Sequence, residues 1–366
     1  MARVKLDSVT KKFGSHAALN HLTLDIADGE FFVLLGPTGA GKTTTLRLIA
    51  GLDHAGSGSI EIDGQDVRSW SAAERDVALV FQYYSLYPHY TVRQNLEFPL
   101  RSKVRNLSQQ DMDQRVARVA KTLRIEHLLE RKTDRLSGGE MQRVSIGRAI
   151  VREPRVFLMD EPLSNLDAKL REILRAELKD LQMKLGATFL YVTHDQVEAM
   201  SMGDKVGVLN AGRIIQVGTP QQIYNQPRDT FVATFVGSPA MNLLQAGCSG
   251  GRATIVPGRL AVDIGRAAGG RAAALDRKAI LGVRSEDVKV GPGEAVEARV
   301  HGVENQGVEK VVTLRVEDCL LKATVPARLA LTIDATVRFS FQQEKLHFFD
   351  SDSGINLYHG EERPNG

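Results

Sequence analysis

Cysteine and long apolar runs are both scarce in this chain of 366 residues. The two cysteines, Cys248 and Cys319, match neither a close metal-ligand spacing nor a disulfide framework, which favours a reducing compartment. No uninterrupted apolar stretch reaches the ~18–20 residues that a membrane helix needs. The opening MARVKLDSVTKKFG has no apolar run after its basic residues, which argues against a signal peptide. If the protein acts at a membrane, another chain must span the bilayer.

An excess of charge of one sign is also absent. The formal net charge is +3, which is too small to indicate nucleic-acid binding by itself. Hydrophobic residues make up 43% of the chain and charged residues 25%, so a sizeable core can be buried. The length is sufficient for two domains of roughly 100–200 residues each.

Short apolar runs alternate with helical patterns in the first part of the chain. A stripe of leucines between Leu170 and Leu185 is typical of an amphipathic helix. The runs themselves have the composition of strands that are buried on both faces. They are FFVLL (31–35), VALVF (77–81), VFLM (156–159) and TFLYV (188–192). This alternation predicts an α/β fold with a largely parallel sheet.

Two further regions differ from this alternation. Residues from about 91 to 150 have apolar residues at helical spacing amid many polar ones, which predicts a helical subdomain inserted between two sheet strands. After about residue 237 the chain turns to short strand patterns separated by Gly and Pro, including RATIV, AILGV, EARVHGV and KVVTLRV. We therefore predict one domain over residues 1–236 and a small β-barrel domain over 237–366.

A phosphate-binding motif follows the first apolar run. The sequence GPTGAGKT matches GxxxxGK[ST] at every fixed position and precedes a helical pattern. Its glycines let backbone N–H groups turn toward phosphates, and the helix N-terminus adds a favourable dipole. We expect Lys42 to reach the β- and γ-phosphates of ATP and the Thr43 hydroxyl to bind Mg²⁺. The predicted nucleotide-binding residues of this loop are Gly36, Pro37, Thr38, Gly39, Ala40, Gly41, Lys42, Thr43 and Thr44.

Polar residues follow three of the other apolar runs. Asp160 is placed to hold Mg²⁺, and Glu161 to polarise an attacking water as the catalytic base. His194 is a second catalytic candidate, because a hydrogen bond from it could hold the γ-phosphate and Glu161. The amide oxygen of Gln82 could complete the Mg²⁺ shell. A charged strand end, a structural histidine and a loop glutamine are the alternatives, and the complete P-loop upstream favours the functional interpretation.

A second anion site is predicted where LSGGE leads into the helical pattern MQRVSIGRAIV. Ser137, Gly138 and Gly139 present hydroxyl and backbone donors at a helix N-terminus. One γ-phosphate needs only one P-loop. We therefore expect this turn to bind the phosphate that is held by the P-loop of another copy. A two-fold symmetric dimer would then bury two ATP molecules between head-to-tail subunits.

These motifs resemble, in order and spacing, those of ATP-binding cassette (ABC) proteins. The resemblance rests on GPTGAGKTT, the Gln82 loop, LSGGE, LMDE, the SNLD loop at 164–167 and THD around His194. It implies a P-loop NTPase cassette with an inserted helical subdomain. It further implies that Phe13 stacks on adenine and that Asp167 links the two facing sites across the dimer.

Longer segments are similar to the ATPases of bacterial carbohydrate importers, of the maltose and glycerol-3-phosphate type. Among them are VFQYYSLYPHYTVRQNLEFPL, PLSNLDAKLR and THDQVEAMSMGD. In that family an oligonucleotide-fold-like (OB, TOBE) regulatory domain follows the cassette, and GVRSED (282–287) resembles its Gly-x-Arg-x-Glu motif. Two residues depart from the family pattern: Glu140 stands where Gln is usual, and Ser285 where Pro is commoner.

The resemblance implies an ATP-hydrolysing importer subunit that is peripheral to the cytoplasmic face of the membrane. Its partners would be transmembrane permease subunits, a second ATPase subunit (an identical copy or a sister chain) and, indirectly, a solute-binding protein. The solute would be a sugar, polyol or glycerol phosphate. The aromatic cluster that follows Gln82 is the expected socket for a permease helix, although buried packing is the alternative. It contains Tyr83, Tyr84, Tyr87, Pro88, His89 and Tyr90.

Two other classes of function compete with this one. Cassette ATPases of DNA repair and translation are expected to carry a coiled-coil insertion or two tandem cassettes, whereas GKT occurs once in a P-loop context here. A regulatory binding module built on the C-terminal domain is the other class. That segment lacks the interleaved aromatic and basic residues of a nucleic-acid surface, so no nucleic-acid partner is expected.

Overall fold

Two units divide the chain, one up to Pro220 and one from Gln221. The structure is a computed structural model that describes residues 2–101, 107–256 and 260–359. Residues 102–106 of the predicted helical insertion and 257–259 and 360–366 of the predicted C-terminal domain lie outside the described residues. The predicted boundary after residue 236 and the division after Pro220 differ by two short helices.

In its described residues, the first unit combines ten strands with six helices. Its strands are β1 (Val4–Phe13), β2 (His16–Ile26), β3 (Phe31–Leu35), β4 (Ser57–Ile62), β5 (Gln65–Asp66), β6 (Val77–Val80), β7 (Val156–Asp160), β8 (Thr188–Thr193), β9 (Lys205–Asn210) and β10 (Arg213–Gly218). Its helices are α1 (Lys42–Ala50), α2 (Val92–Glu97), α3 (Gln109–Thr122), α4 (Gly138–Ile150), α5 (Ala168–Leu185) and α6 (Gln196–Met202). Single 3₁₀ turns occur at Phe98–Leu100, Glu126–Leu128 and Thr133–Arg135.

The four apolar runs become β3, β8, β7 and β6, which are neighbours in a six-stranded sheet with the order β10-β9-β3-β8-β7-β6. Every neighbouring pair from β9 to β6 is parallel, and only β10 is antiparallel. The prediction of a largely parallel sheet is confirmed. Parallel strands with helices on both faces are buried on both sides, which explains why β3 is apolar throughout and fully buried. The carboxyl ends of β3, β7 and β8 therefore lie along one edge of the sheet.

A four-stranded antiparallel sheet, β2-β1-β4-β5, covers the same core. Alternate residues of β2, among them Leu22, Leu24 and Ile26, point into this core because strand side chains alternate between faces. They pack in one cluster with Leu46 and Ile49 of α1 and with apolar residues of the six-stranded sheet. The β1–β2 hairpin is thereby fixed beside the first turn of α1.

The insertion between β6 and β7 contains α2, α3 and α4 and is helical, as predicted. Buried residues Met112, Val116 and Val119 recur at helical spacing along α3. Ser108 begins α3 with a capping box, in which its hydroxyl accepts from the Asp111 N–H and the Asp111 carboxylate accepts from the Ser108 N–H. None of the helices in the described residues is long and apolar enough to cross a membrane.

Over the part that the structure describes, the second unit contains α7 (Pro220–Asn225), α8 (Thr230–Phe235) and ten strands. The strands are β11 (Asn242–Ser249), β12 (Arg252–Ile255), β13 (Ala261–Asp263), β14 (Arg277–Val283), β15 (Val288–Val290), β16 (Val296–Asn305), β17 (Glu309–Val316), β18 (Cys319–Pro326), β19 (Thr336–Phe341) and β20 (His347–Asp350). The 3₁₀ segments of this unit are Ala267–Ala274, Ser285–Asp287 and Gln343–Lys345. Two antiparallel five-stranded sheets, β13-β12-β11-β14-β20 and β15-β19-β16-β17-β18, enclose one apolar core, as the short strand patterns predict.

Within this unit, the GVRSED segment connects β14 to both short helices. The buried Arg284 donates to the Val236 carbonyl at 2.5 Å and to the Tyr224 carbonyl at 2.7 Å, and it stacks on the Tyr224 ring. Tyr224 in turn donates to Glu286 at 2.5 Å. Gly237 has a φ of +119°, and a Cβ there would lie 2.4 Å from the guanidinium, so only glycine fits. The Arg and Glu of the motif therefore hold the ends of α7 and α8.

Candidate functional site

The P-loop runs from the end of β3 into α1, as predicted. Gly41 precedes α1 with a φ of +109°, and a Cβ there would lie 2.6 Å from the Ala18 carbonyl oxygen. A Cβ on Gly36 would lie 2.3 Å from the Leu209 carbonyl oxygen. Glycine is therefore required at both positions, because β2 and β9 approach the loop too closely for a side chain. The loop backbone is left facing the first turn of α1.

Lys42 is 6% exposed and lies at the centre of the site. Its ammonium donates to the carbonyl oxygens of Gly36 and Pro37 at 2.9 and 3.1 Å. The Glu161 carboxylate lies 3.3 Å from the same nitrogen. Two neutral acceptors and one carboxylate carry less negative charge than a triphosphate, so phosphate oxygens can replace these contacts.

Thr43 and Asp160 join α1 to the end of β7. The Thr43 hydroxyl donates to the Asp160 carboxylate at 3.1 Å. Burial raises the pKa of the Asp160 carboxyl, and the hydrogen bond from Thr43 opposes that rise. A hydroxyl and a carboxylate are hard oxygen ligands of the kind that Mg²⁺ prefers. In the described part of the chain, no group of three or more His, Cys, Asp or Glu side chains could hold a metal. A magnesium shell here would therefore need hydroxyl, amide or phosphate oxygens as well.

Glu161 and His194 form the predicted pair. The Nδ1 atom of His194 lies 2.8 Å from the Glu161 carboxylate, which also faces Lys42. The backbone N–H of Glu161 donates to the Val192 carbonyl at 3.1 Å. Glu161 has a φ of +44°, which is unusual for a residue with a side chain and turns the chain sharply after β7. A hydrogen-bonding partner, His194, and a cation, Lys42, thus converge on the carboxylate that is predicted to be the base.

Gln82 points toward the loop between Glu161 and α5. Its side-chain amide donates to the Ser164 hydroxyl at 3.2 Å, and its backbone carbonyl accepts from Asn165 at 3.0 Å. Ser164 itself donates to the Glu161 carbonyl. The Gln82 loop is therefore linked to the backbone of Glu161 through Ser164 of the SNLD loop. No motif in the chain predicts this linking role of Ser164, because its partners Gln82 and Glu161 come together only in the fold.

The LSGGE segment, here called the signature turn, contains Ser137, Gly138 and Gly139 and begins α4. The Ser137 hydroxyl accepts from the Glu140 N–H, and the Glu140 carboxylate accepts from the Ser137 N–H at 2.7 Å, which is a capping box. This backbone hydrogen bond lowers the pKa of the Glu140 carboxyl, and Arg131 lies 3.6 Å away. A Cβ on Gly139 would lie 2.6 Å from Leu170. The Ser137 O–H can still donate, since a hydroxyl accepts and donates at once.

The structure does not bring all of the predicted residues together. Among the described residues, no hydrogen bond joins the Ser137–Gly139 turn to the P-loop. Phe13 ends β1 with its side chain 51% exposed and the Lys11 ammonium 4.9 Å from its ring centre. Asp167 is exposed and begins α5, where its carboxylate accepts from the Leu170 N–H. These positions are open to a ligand or to a second chain.

A buried network behind His194 escaped the sequence analysis. Glu198 is 2% exposed and accepts from the hydroxyls of Tyr191 and Thr193 at 2.9 and 2.6 Å. The Thr193 carbonyl accepts from the Gly36 N–H at 3.3 Å. The end of β8 is therefore fixed to both α6 and the start of the P-loop. The chain carries no spacing signal for this network, because Tyr191 and Thr193 lie on β8 whereas Glu198 lies on α6.

Three family models match the chain. The ABC transporter model matches residues 19–164, the MalK OB fold domain model 237–288 and the TOBE domain model 281–349. The chain is also similar to a solved dimeric ATP-binding cassette in a post-hydrolysis state, bound to ADP and Pi. That likeness has 34% identity and a TM-score of 0.53, over 59% of this chain and 98% of that one.

Two curated relatives extend over the whole length. The chain is 46% identical to the trehalose/maltose import ATP-binding protein MalK of Thermococcus litoralis, over 98% of this chain and 100% of that protein. It is 43% identical to the sn-glycerol-3-phosphate import ATP-binding protein UgpC of Ruegeria pomeroyi, over 98% and 99%. The chain therefore belongs to the family of ABC transporter ATP-binding proteins and is a nucleotide-binding ATPase cassette followed by MalK-type OB and TOBE domains.

Proposed function

We propose that this ATPase drives uptake of a carbohydrate-like solute, such as a sugar, polyol or glycerol phosphate, through membrane permease subunits. The observation that carries the proposal is the convergence of Lys42 and His194 on Glu161 beside a P-loop. The solute class is inferred from two relatives, whose names describe import of trehalose/maltose and of sn-glycerol-3-phosphate. On this proposal the solute does not touch the chain.

The chemistry follows from the charges at the site. Lys42 and the N–H groups at the start of α1 bind the phosphates, and Glu161 takes a proton from the attacking water. His194 holds Glu161 and the γ-phosphate in position. Phe13 is exposed at the end of β1, where it can stack on the adenine ring. Thr43, Asp160 and the Gln82 amide would hold Mg²⁺, which supplies positive charge that stabilises the phosphoryl group during transfer.

The working form on this proposal is a head-to-tail dimer. Ser137 and Gly139 lie at the N-terminus of α4, where the backbone N–H groups and the helix dipole favour an anion such as the γ-phosphate held by another copy. Asp167 is exposed at the start of α5, where it can reach the second chain. Whether that chain is an identical copy or a sister ATPase does not change this chemistry.

Trapping the dimer tests this arrangement. Glu161→Gln lacks the proposed base, so the variant is expected to bind Mg-ATP without hydrolysing it, to dimerise with Mg-ATP and to remain monomeric with Mg-ADP. Light scattering after size exclusion measures the mass. The double variant Glu161→Gln/Ser137→Ala serves as the control and is expected to need more ATP. A strictly monomeric Glu161→Gln protein in saturating Mg-ATP would rule out the shared site.

A groove beside the Gln82 loop supports the proposed permease contact. It encloses about 990 Å³, and Phe81, Tyr84, Tyr87, Phe98 and Arg148 are among its lining residues. Tyr87 packs against Phe98, with ring centres 4.2 Å apart, and the Arg148 guanidinium lies 4.5 Å from the Tyr87 ring centre. Part of the predicted aromatic cluster is thus packed, whereas Tyr83 is 75% exposed.

Substitutions at Tyr87, which lines the groove, and at Tyr83 of the aromatic cluster beside it test the coupling. Tyr87→Ala and the exposed Tyr83→Ala are expected to retain ATP binding while solute uptake per ATP hydrolysed falls. Uptake and phosphate release are measured on the same vesicles, with thermal unfolding as the control for folding. Normal uptake by both variants would mean that the permease binds elsewhere.

The same proposal places the chain at the cytoplasmic face of the membrane as a peripheral subunit, with a solute-binding protein as an indirect partner and no nucleic acid. Affinity capture of the chain from solubilised membranes is expected to recover permease subunits. Capture of DNA-repair or ribosomal proteins in their place would favour the non-transport alternative.

A further inference from the structure

Arg171 lies between two loops that the proposed mechanism treats separately. It is in the first turn of α5, and its Nη2 atom donates to the Leu166 carbonyl at 3.0 Å. Its Nη1 atom donates to the Asp195 carboxylate at 3.3 Å. Leu166 belongs to the SNLD loop beside Asp167, and Asp195 directly follows His194. One guanidinium therefore joins the loop proposed to reach the second chain to the loop that carries His194.

The environment of Arg171 makes this bridge rigid. Its side chain is 29% exposed and that of Asp195 is 23% exposed, so water screens the ion pair only in part. The Nε atom of Arg171 is buried without a hydrogen-bond partner. The planar guanidinium has a fixed fork of donors, so a shift of either loop changes both contacts.

The Asp195 end of the bridge continues into the buried network behind His194. The Asp195 N–H donates to the Thr193 hydroxyl at 2.9 Å, and that hydroxyl donates to Glu198 at 2.6 Å. The other carboxylate oxygen of Asp195 accepts from the Val197 N–H at the start of α6. Displacement of Asp195 would therefore move the backbone on both sides of His194.

We propose that Arg171 is a positioning residue that transmits the position of the SNLD loop to His194, and thereby makes hydrolysis at one site depend on Asp167 contacts from the facing site. The inference rests on the proposed head-to-tail dimer. Arg171 does not touch the nucleotide on this proposal. Its loss changes the rate of hydrolysis and the cooperativity between the sites, and it leaves the phosphate cradle of Lys42 intact.

Steady-state ATPase kinetics of the full-length chain test the proposal. Arg171→Met is expected to lower kcat about ten- to a hundredfold, because a displaced catalytic group costs rates of that order. The Hill coefficient for ATP should fall to about 1, the value for independent sites, while the half-saturating ATP concentration changes less than about twofold. Arg171→Lys keeps the charge without the fork of donors, so it should have the wild-type melting temperature but a Hill coefficient of about 1.

Arg175→Met, one turn further along α5, is the matched control and should keep the wild-type kcat and Hill coefficient. Unchanged kcat and Hill coefficient in Arg171→Met would overturn the proposal. Equal losses in Arg171→Met and Arg175→Met would also overturn it, since they would indicate a general effect on α5.

The dimer experiment separates this inference from the function beneath it. Glu161→Gln and Glu161→Gln/Arg171→Met are both expected to dimerise in Mg-ATP. If both dimerise and Arg171→Met remains cooperative, only the role of Arg171 is wrong. If Glu161→Gln itself stays monomeric, the shared site is wrong and the role of Arg171 fails with it.

Discussion

Glu140 is the residue at which this cassette departs most clearly from the usual signature turn. Its carboxylate caps α4 and lies at the helix end that is proposed to bind phosphate. A negative charge there is compatible with the helix dipole, but it reduces the attraction of the same helix end for a second anion. Arg131, 3.6 Å away, offsets part of that charge. The acid therefore keeps the cap that a glutamine would form and weakens the anion site.

Glu140→Gln in the Glu161→Gln background should therefore dimerise at lower ATP concentration. A charge at a helix terminus is worth about 0.3–1 kcal/mol, which corresponds to a two- to fivefold change. Light scattering against ATP concentration measures the effect. Asp111→Asn removes the same charge from the capping box of α3 and is the matched control. Tighter assembly in the control, or none in Glu140→Gln, would contradict the charge argument.

Glu198 gives a pH-dependent prediction that also belongs to the residue scale. Burial raises the pKa of its carboxyl above 4.5, the ordinary value for glutamate. Because the folded state binds this proton more strongly than the unfolded state, the stabilisation is fully present below pH 4.5 and is lost as the pH rises through the raised pKa. Glu198→Gln has no such loss.

The melting temperature of Glu198→Gln relative to wild type should thus increase as the pH is raised from about 4.5. Scanning calorimetry at several pH values measures the difference. Glu172→Gln, at an exposed position of α5, should show no such trend. A constant difference between Glu198→Gln and wild type across this range would mean that the carboxyl has the same pKa in both states.

At the scale of elements, the helix ends are the positions where particular residue types are needed, because the free backbone groups there require partners. Four helices begin with a capping side chain: α3 with Ser108, α4 with Ser137, α5 with Asp167 and α6 with Asp195. Each capping residue is at least partly exposed. The carboxyl ends of α7 and α8 are held differently, by the guanidinium of Arg284. A capping residue acts within its own helix, whereas Arg284 acts from a strand.

Arg284→Met should for that reason destabilise the second unit by about 2–3 kcal/mol, because it leaves buried carbonyl oxygens without donors. Urea unfolding followed by circular dichroism measures the loss. Arg299, with a side chain 65% exposed in an ion pair with Asp334, is the control in the same unit. Arg299→Met should change the stability by less than about 0.5 kcal/mol. Equal losses would show that Arg284 contributes only its charge.

At the scale of the whole molecule, the two units have separate apolar cores. The residues that bind ATP in the proposal all belong to the first unit. A ligand stabilises only the structure that binds it, by about 2.7 kcal/mol at a free concentration of 100 times Kd. Nucleotide is therefore expected to stabilise the first unit against unfolding and to leave the stability of the second unit unchanged.

Calorimetry of Glu161→Gln should show two unfolding transitions, of which Mg-ATP raises only one. Arg284→Met identifies the other transition by lowering it. Mg-ADP is the nucleotide control, and Lys42→Ala, which removes the central cation, should abolish the shift. A single transition that moves as a whole with Mg-ATP would show that the two units unfold together.

The sequence by itself determined the features that depend on local backbone and fixed spacing. The P-loop can be predicted because its glycines stand at fixed positions in the motif. At Gly36 and Gly41 the reason is that neighbouring strands approach too closely for a side chain. The parallel sheet is readable because strands buried on both faces are apolar throughout. The catalytic candidates are readable because parallel strands deliver Glu161 and His194 to the same edge.

Only the tertiary structure decided which distant polar groups meet. Arg171 and Asp195 are 24 residues apart and Gln82 and Ser164 are 82 apart. Neither pair has a pattern in the chain, since their contact depends on how α5, α6 and the loops pack. The same holds for Arg284, whose partners lie on two helices. The sequence specifies the type of each side chain, whereas its hydrogen-bonding partner depends on how elements that are remote along the chain pack together.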